Sequence, residues 1–367
     1  MTEDEASWRR NRRLLMLLVL AAMLVVSACA GTDRLGLESV VSDDIPQNSL
    51  NPAGPEARQI DDLWWLVFWI ATAVFVVVEA ALIYMVVRFR QRKGEDRQVK
   101  QVHGNTKLEI IWTILPAVLL TVIAIPTVAT LLDLRSAPDP SDNALQIEVI
   151  GHQWWWEFSY PEYGFTTANE LHIPAGRQVY LTMTSADVIH SFWVPQLAGK
   201  RDLVPGRETN LKIEADEPGL FLGQCAEFCG LAHADMRLRV FASTEAEFET
   251  WALAQAQPAN LPAAGPAADG WETFSAVCAS CHTIDGTSAG ARLAPNLTHF
   301  ASRTTFGSAT FANEEQHLRQ WLADPSSLKP MRPELNDLEV GRVLGMPKLG
   351  LTEDQIDGLI ALLETLE

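Results

Sequence analysis

Gln224-Cys225-Ala226-Glu227-Phe228-Cys229-Gly230-Leu231-Ala232-His233-Ala234-Asp235-Met236 sets two thiols, an imidazole and a thioether within thirteen residues. A second imidazole, His190, stands upstream between segments that read as strands. Two thiolates, two imidazoles and a thioether form a soft donor set that suits copper, and a weakly held Met is typical of electron-transfer copper. Zinc in a closed Cys₂His₂ site would use the same residues. So would a Cys225–Cys229 disulfide in an oxidising exterior. Spacing alone leaves all three open.

Around this loop the sequence reads as short strands: Ile147–Ile150, Gln178–Met183, Asn210–Ile213 and Met236–Val240, with Gly and Pro between them. That spacing predicts an all-β sandwich or barrel. Thr244–Ala256 reads as a helix, and Gln257–Ala268 has the Ala/Pro/Gly composition of a linker. From Trp271 the pattern turns helical. Its last stretch places Ile356, Leu359, Ile360, Leu362 and Leu363 on one broad face, so a small all-α module is expected over 269–367.

That module opens with Cys278-Ala279-Ser280-Cys281-His282, the attachment motif for a c-type haem: two thiols bond the vinyl groups and the histidine takes one axial position. A redox-active thiol pair would call for a βαβ context that the sequence lacks. The second axial ligand should be a Met or His downstream. Met346, followed by Pro347 ahead of the final helix, is preferred over Met331; His299 and His317 are the other candidates, and they read as solvated surface residues. His103, His152 and His172 are assigned structural roles.

Toward the N-terminus, Arg9, Arg10, Arg12 and Arg13 precede the apolar run Leu14–Val26, which is too short to span a bilayer. It reads as a signal peptide over 1–28, ending at a Cys29 whose context resembles a bacterial lipobox. An exported segment, 29–62, would follow. Leu63–Val87 and Leu108–Leu132 are of spanning length and give a transmembrane hairpin over 63–132. The loop between them carries Arg88, Arg90, Arg92, Lys93, Arg97, Lys100 and Lys107 against Glu95 and Asp96, which places it in the cytoplasm and everything after Asp133 outside. Glu79 lies deep in the first span and Glu109 near the interface of the second. Ionisable groups at such depth are functional suspects.

The formal charge of −18, from 46 acidic and 28 basic residues, excludes a phosphate backbone as partner. Residues 1–132 carry 14 acidic and 13 basic side chains, 133–265 carry 18 and 8, and 266–367 carry 14 and 7, which leaves −1, −10 and −7. The exported part holds nearly all of the negative field and should attract basic partners.

The run 224–236 closely resembles the binuclear copper (CuA) loop of subunit II of the haem-copper oxidases. Gly151-His152-Gln153-Trp154-Trp155-Trp156 is similar to that family's aromatic segment, and Ile111-Trp112-Thr113-Ile114-Leu115-Pro116-Ala117 to the start of its second helix. The resemblance implies a cupredoxin sandwich over 133–243 on the two-helix hairpin. It implies a copper pair bridged by Cys225 and Cys229, with His190 and Met236 on one metal and His233 and the Glu227 carbonyl on the other. It further implies a Mg²⁺ or Mn²⁺ on the Glu227 side chain, Trp154 as the aromatic through which electrons enter, and Glu109 at the mouth of a proton path. With the fused haem module, the chain resembles the caa-type cytochrome c oxidases of the bacterial inner membrane. Such a subunit would hand electrons from a cytochrome c or a cytochrome bc-type complex to subunit I, where O₂ is reduced and protons are pumped. A CuA-containing nitric oxide reductase and a copper-delivery protein are the alternatives; a carrier would have no use for a haem donor. A quinol-oxidase subunit would lack the copper ligands.

Overall fold

The computed structural model describes residues 47–90, 94, 101, 103–137, 143–332 and 344–367. The expected signal peptide over 1–28, Cys29 and most of the basic loop lie outside these residues. Helices α1 (Pro55–Phe89) and α2 (Thr106–Arg135) form an apolar hairpin. Pro55 sits in the first turn of α1, where a missing N–H is harmless. Asn105 caps α2 by accepting from the Leu108 N–H. Phe75, Val87, Leu120 and Ile125 are 64–74% exposed, a burden that hydrocarbon surroundings relieve and water would not. Helix α2 continues through Pro116 and Pro126.

The hairpin is seated on the β module at one end. A methyl at Gly54 would come 2.0 Å from the Glu214 carbonyl oxygen, so only glycine lets the chain approach this closely. On either side of it, the Ala53 N–H donates to Gln196 and the Ala53 carbonyl accepts from Asp216. Arg58 pairs with Asp216, Gln59 donates to Asp133 at 2.9 Å, and Lys212 donates to Ser136 at 3.2 Å. The Phe89 end of α1 and the Thr106 end of α2 are therefore at the far end of the hairpin from the sandwich.

The β module is two five-stranded sheets. The first has the order β3 (Phe165–Ala168), β2 (Trp155–Tyr160), β1 (Leu145–His152), β5 (Val179–Ser185), β8 (Thr209–Ile213). The second runs β4 (Glu170–Pro174), β10 (Arg237–Ser243), β9 (Gly219–Cys225), β6 (His190–Trp193), β7 (Arg201–Leu203). The β1–β5 and β4–β10 pairs are parallel and the rest antiparallel. Alternate residues of each strand face inward, and Trp156, Phe158, Tyr160, Phe192 and Met183 fill the space between the sheets. Buried Tyr160 satisfies its hydroxyl by donating to the His172 carbonyl and accepting from the His172 N–H, both at 2.9 Å. Helix α3 (Glu245–Gln255) opens on a Thr244/Glu247 capping box and lays Phe248 and Trp251 against Tyr160. His190, expected between strands, instead opens β6.

The C-terminal module begins with α4 (Pro266–Val277), three residues before the expected boundary at 269, because Pro266 takes a first-turn position where it favours a helix. A hairpin, β11 (Thr305–Phe306) and β12 (Phe311–Ala312), precedes α5 (Glu315–Ala323) and α6 (Pro325–Leu328), and α7 (Glu353–Leu363) closes the chain. Helices α4 and α7 cross at two glycines: a methyl at Gly270 would meet the Gly358 carbonyl oxygen at 1.9 Å. The predicted apolar face of α7, from Ile356 to Leu363, is buried.

The β module and the C-terminal module pack directly on each other although both are acidic. Glu170, 2% exposed at the start of β4, accepts from the N–H and hydroxyl groups of both Thr304 and Thr305, at 2.5–3.1 Å. Asn296 donates to Thr166 at 3.3 Å, and Gln255 to Ser302 at 3.2 Å. Local hydrogen bonds, several of them to one buried carboxylate, and not opposite net charges, join the modules here.

Candidate metal centres and the contact between them

Strand β9 ends on Cys225, and the loop that follows turns back through a short 3₁₀ segment, His233–Asp235, whose C-terminal cap is Met236, one residue ahead of β10. Six donors converge there. The Cys225 and Cys229 sulfurs are 3.8 Å apart, His190 Nδ1 is 3.9 Å from Cys225, and His233 Nδ1 and Met236 Sδ are 3.5 and 3.8 Å from Cys229. The Glu227 carbonyl accepts from the Cys225 thiol at 3.2 Å. A sulfur–sulfur bond is about 2.05 Å long, so these thiols are not a disulfide. Six donors exceed what one tetrahedral zinc uses, and the thioether favours copper.

The surroundings suit deprotonated ligands. The Cys229 thiol, and then His190, hold Cys225 down to about 4 against the cost of burial, and the same pairing pushes Cys229 up. One proton is thus readily lost from the pair, as metal binding requires. His190 is fully buried, and its Nε2 meets Asp187 Oδ1 at 2.7 Å, which fixes the ring with Nδ1 toward sulfur. Asp187 also accepts from the Gln153 N–H at 2.6 Å, so it ties the aromatic segment to the metal ligand. No motif marked Asp187; its place three residues before His190 was the available signal. The Glu227 side chain is 46% exposed, 4.0 Å from Lys200.

The second centre is a cavity of about 410 Å³ lined by Cys278, Cys281, His282, Met331 and Met346. Cys278 caps α4, and burial pushes its thiol up to about 11. His282 Nδ1 donates to the Pro295 carbonyl at 2.8 Å, which leaves Nε2 as the acceptor, and burial lowers its pKa toward the neutral, ligating form. The thiol spacing, the oriented histidine and the apolar walls fit a covalent haem. Trp321 Nε1 donates to Met346 Sδ at 3.1 Å. His299, read as a solvated surface residue, is instead 6% exposed, its nitrogens against the carbonyls of Glu367 and Gln257 at 2.6 and 2.9 Å.

The cavity is completed by the β module: Gln153, Trp154 and Trp155 line it too. Trp154 is 5% exposed, and its indole N–H donates to the Cys229 carbonyl at 3.1 Å; Gln153 donates to the same oxygen at 2.7 Å. One side chain therefore lines the haem cavity and touches the copper loop. Gly230 makes room for it: its φ is +117°, and a methyl there would lie 3.1 Å from the Trp154 ring. Away from this region, Glu109 is exposed at the start of α2, where it accepts from the Asn105 N–H at 3.2 Å, and Glu79 is half-buried in α1.

Residues 46–130 match the family described as cytochrome c oxidase subunit II, transmembrane domain, and residues 164–243 its periplasmic domain. Residues 267–367 match cytochrome c. Cytochrome c oxidase subunit 2 of Alkalihalophilus pseudofirmus is 36% identical over 365 residues, 98% of either chain. The chain belongs to the cytochrome c oxidase subunit 2 family.

Its similarity to other members is also broad. The cytochrome c oxidase subunit 2 of Bacillus subtilis is 36% identical over 80% of this chain and 88% of that protein. A quinol oxidase subunit 2 from Bacillus spizizenii is 34% identical over 65% and 72%. The solved periplasmic domain of subunit II from Bradyrhizobium japonicum is 31% identical, covers 30% of this chain and 92% of that one, and has a TM-score of 0.30. Membership makes this a membrane-anchored subunit of a haem-copper oxidase, with a cupredoxin domain for CuA copper and a cytochrome c domain for haem.

Proposed function

We propose that this chain is the electron-delivering subunit II of a caa-type oxidase, in which a haem on Cys278 and Cys281 and a copper pair on the 225–236 loop act as one-electron carriers toward a partner subunit that reduces O₂ to water and pumps protons. The observation that carries this reading is Trp154, which joins the cavity wall to the Cys229 carbonyl. His190, Cys225, Glu227 (through its carbonyl), Cys229, His233 and Met236 hold the copper; His282 and Met346 hold the iron. Six donors in place favour this reading over a quinol oxidase. Phe228 and Leu231, 77% and 50% exposed beside the copper loop, offer an apolar face to subunit I. Glu227 adds an outward carboxylate there that could be shared with a Mg²⁺. Glu109, at the opposite end of the hairpin, is assigned to the mouth of a proton path. The acidic modules favour a basic cytochrome or a bc-type complex as donor, on the outer face of the inner membrane.

The test is the electron-paramagnetic-resonance and optical spectrum of the purified oxidase. A seven-line mixed-valence copper signal beside a c-type haem band is expected; haem without a coupled copper pair would refute the proposal. Trp321 supplies a finer check on Met346. Its N–H withdraws electron density from the sulfur and so disfavours ferric iron. Trp321→Phe should lower the haem midpoint potential by about 40–60 mV, the equivalent of roughly 1 kcal/mol, with the Met–iron charge-transfer band retained. An unchanged potential, or loss of that band in Met331→Ala alone, would move the ligand to Met331.

A further inference from the structure

The hairpin β11–β12 carries a strained tip. Gly307, Ser308 and Ala309 have φ of +62°, +68° and +54°, three successive left-handed residues of which two carry a side chain. Each such non-glycine residue costs about 1–2 kcal/mol, so other contacts must hold the turn in place. Those contacts are made with the copper module. The Ser308 hydroxyl donates to the Trp154 carbonyl, and Thr310 Oγ1 donates to the carbonyl of Asp235, next to Met236, at 3.3 Å. Ser308 and Ala309 are 2% and 3% exposed.

Lys329, at the end of α6, closes the same contact. It is 2% exposed, and its ammonium donates to the Trp154 carbonyl at 2.8 Å, to Ser308 Oγ at 2.7 Å and to the Gly307 carbonyl at 3.3 Å. No carboxylate lies within ion-pair distance of it among the described residues. Burying a lysine is expensive, and this one meets three acceptors at the meeting point of two modules.

We propose that Lys329 and Ser308 form a latch that fixes the haem module on the copper module and holds Trp154 between the haem cavity and Cys229, so that both are positioning residues for internal electron transfer. The inference rests on the electron path given above. It assigns the work to the Trp154 backbone: two donors from the haem module grip its carbonyl, while its indole grips Cys229.

The experiment uses the complete oxidase carrying Lys329→Met or Ser308→Gly. The second variant relaxes the left-handed turn, so it should fold even where the first does not accumulate. Two readouts are taken: the rate at which photoreduced haem reduces copper, and hydrogen exchange of the amides of 154–156 and 305–310. A fall in rate of at least about tenfold is expected for Lys329→Met, which removes three contacts, with a smaller fall for Ser308→Gly, which removes two. Exchange in both segments should rise, while the haem stays attached through Cys278 and Cys281 and the copper signal stays as in the unmodified protein. Unchanged exchange in both variants would overturn the latch, whatever the rate. Absence of haem-to-copper transfer in the unmodified oxidase would instead overturn the electron path, and exchange would still decide the latch.

Discussion

Cys229→Ser is expected to abolish the mixed-valence copper signal and to lower oxidase turnover by more than about a hundredfold, the loss already typical of removing a metal's outer-shell partner. Cys229 is the hub of the donor set: its sulfur lies within 3.8 Å of Cys225, His233 and Met236. Serine keeps the volume but offers a hard oxygen that holds its proton, so Cys225 would lose both its bridging partner and the hydrogen bond that lowers its pKa. Because the haem cavity is built from other residues, the c-type band should survive, which separates a lost metal centre from a lost fold. A seven-line signal retained in the purified variant would show that Cys229 is not a bridging ligand.

The second large effect concerns the docking face. Glu170→Ala would strip the acceptor from two backbone N–H groups and two hydroxyls at once, inside a face that excludes water. A buried donor left without its acceptor costs about 1–3 kcal/mol, so losing several at once should loosen one module from the other while the Lys329 and Ser308 contacts to Trp154 remain. Denaturant unfolding followed at the haem band should then part from unfolding followed at the copper band, and protease should cut between residues 257 and 265. Glu170→Gln, which keeps one acceptor, should show a smaller separation. Coincident transitions in Glu170→Ala would mean that the carboxylate does not hold the modules together.

The candidate ligand sets were legible in the sequence because copper and haem chemistry demand fixed spacing: a Cys-x₃-Cys-x₃-His-x₂-Met run and a Cys-x₂-Cys-His run carry their meaning locally. The apolar spans were legible for the same reason, since bilayer thickness dictates their length. The contact between the modules was not. Net charges of the same sign argued against electrostatic docking, yet the docking depends on where one carboxylate is buried, and a charge sum holds no such information. Glu170, Ser308 and Lys329 belong to no motif; each acquires its role from residues more than 100 positions away. His299 shows the same limit: a lone histidine looked solvated until the fold closed the C-terminal carbonyl over it.

The segment from 257 to 265 joins the cupredoxin module to the cytochrome c module within one chain. The segment is itself docked, with the Ala259 N–H donating to the Asp285 carbonyl at 3.0 Å and Leu261 packed on the core of the C-terminal module, so on the proposed path the two sites meet at a fixed separation, independent of how much donor the compartment holds. Internal delivery should therefore be nearly indifferent to ionic strength. Salt would govern only the earlier step, in which an outside protein must find an acidic haem module across open solution.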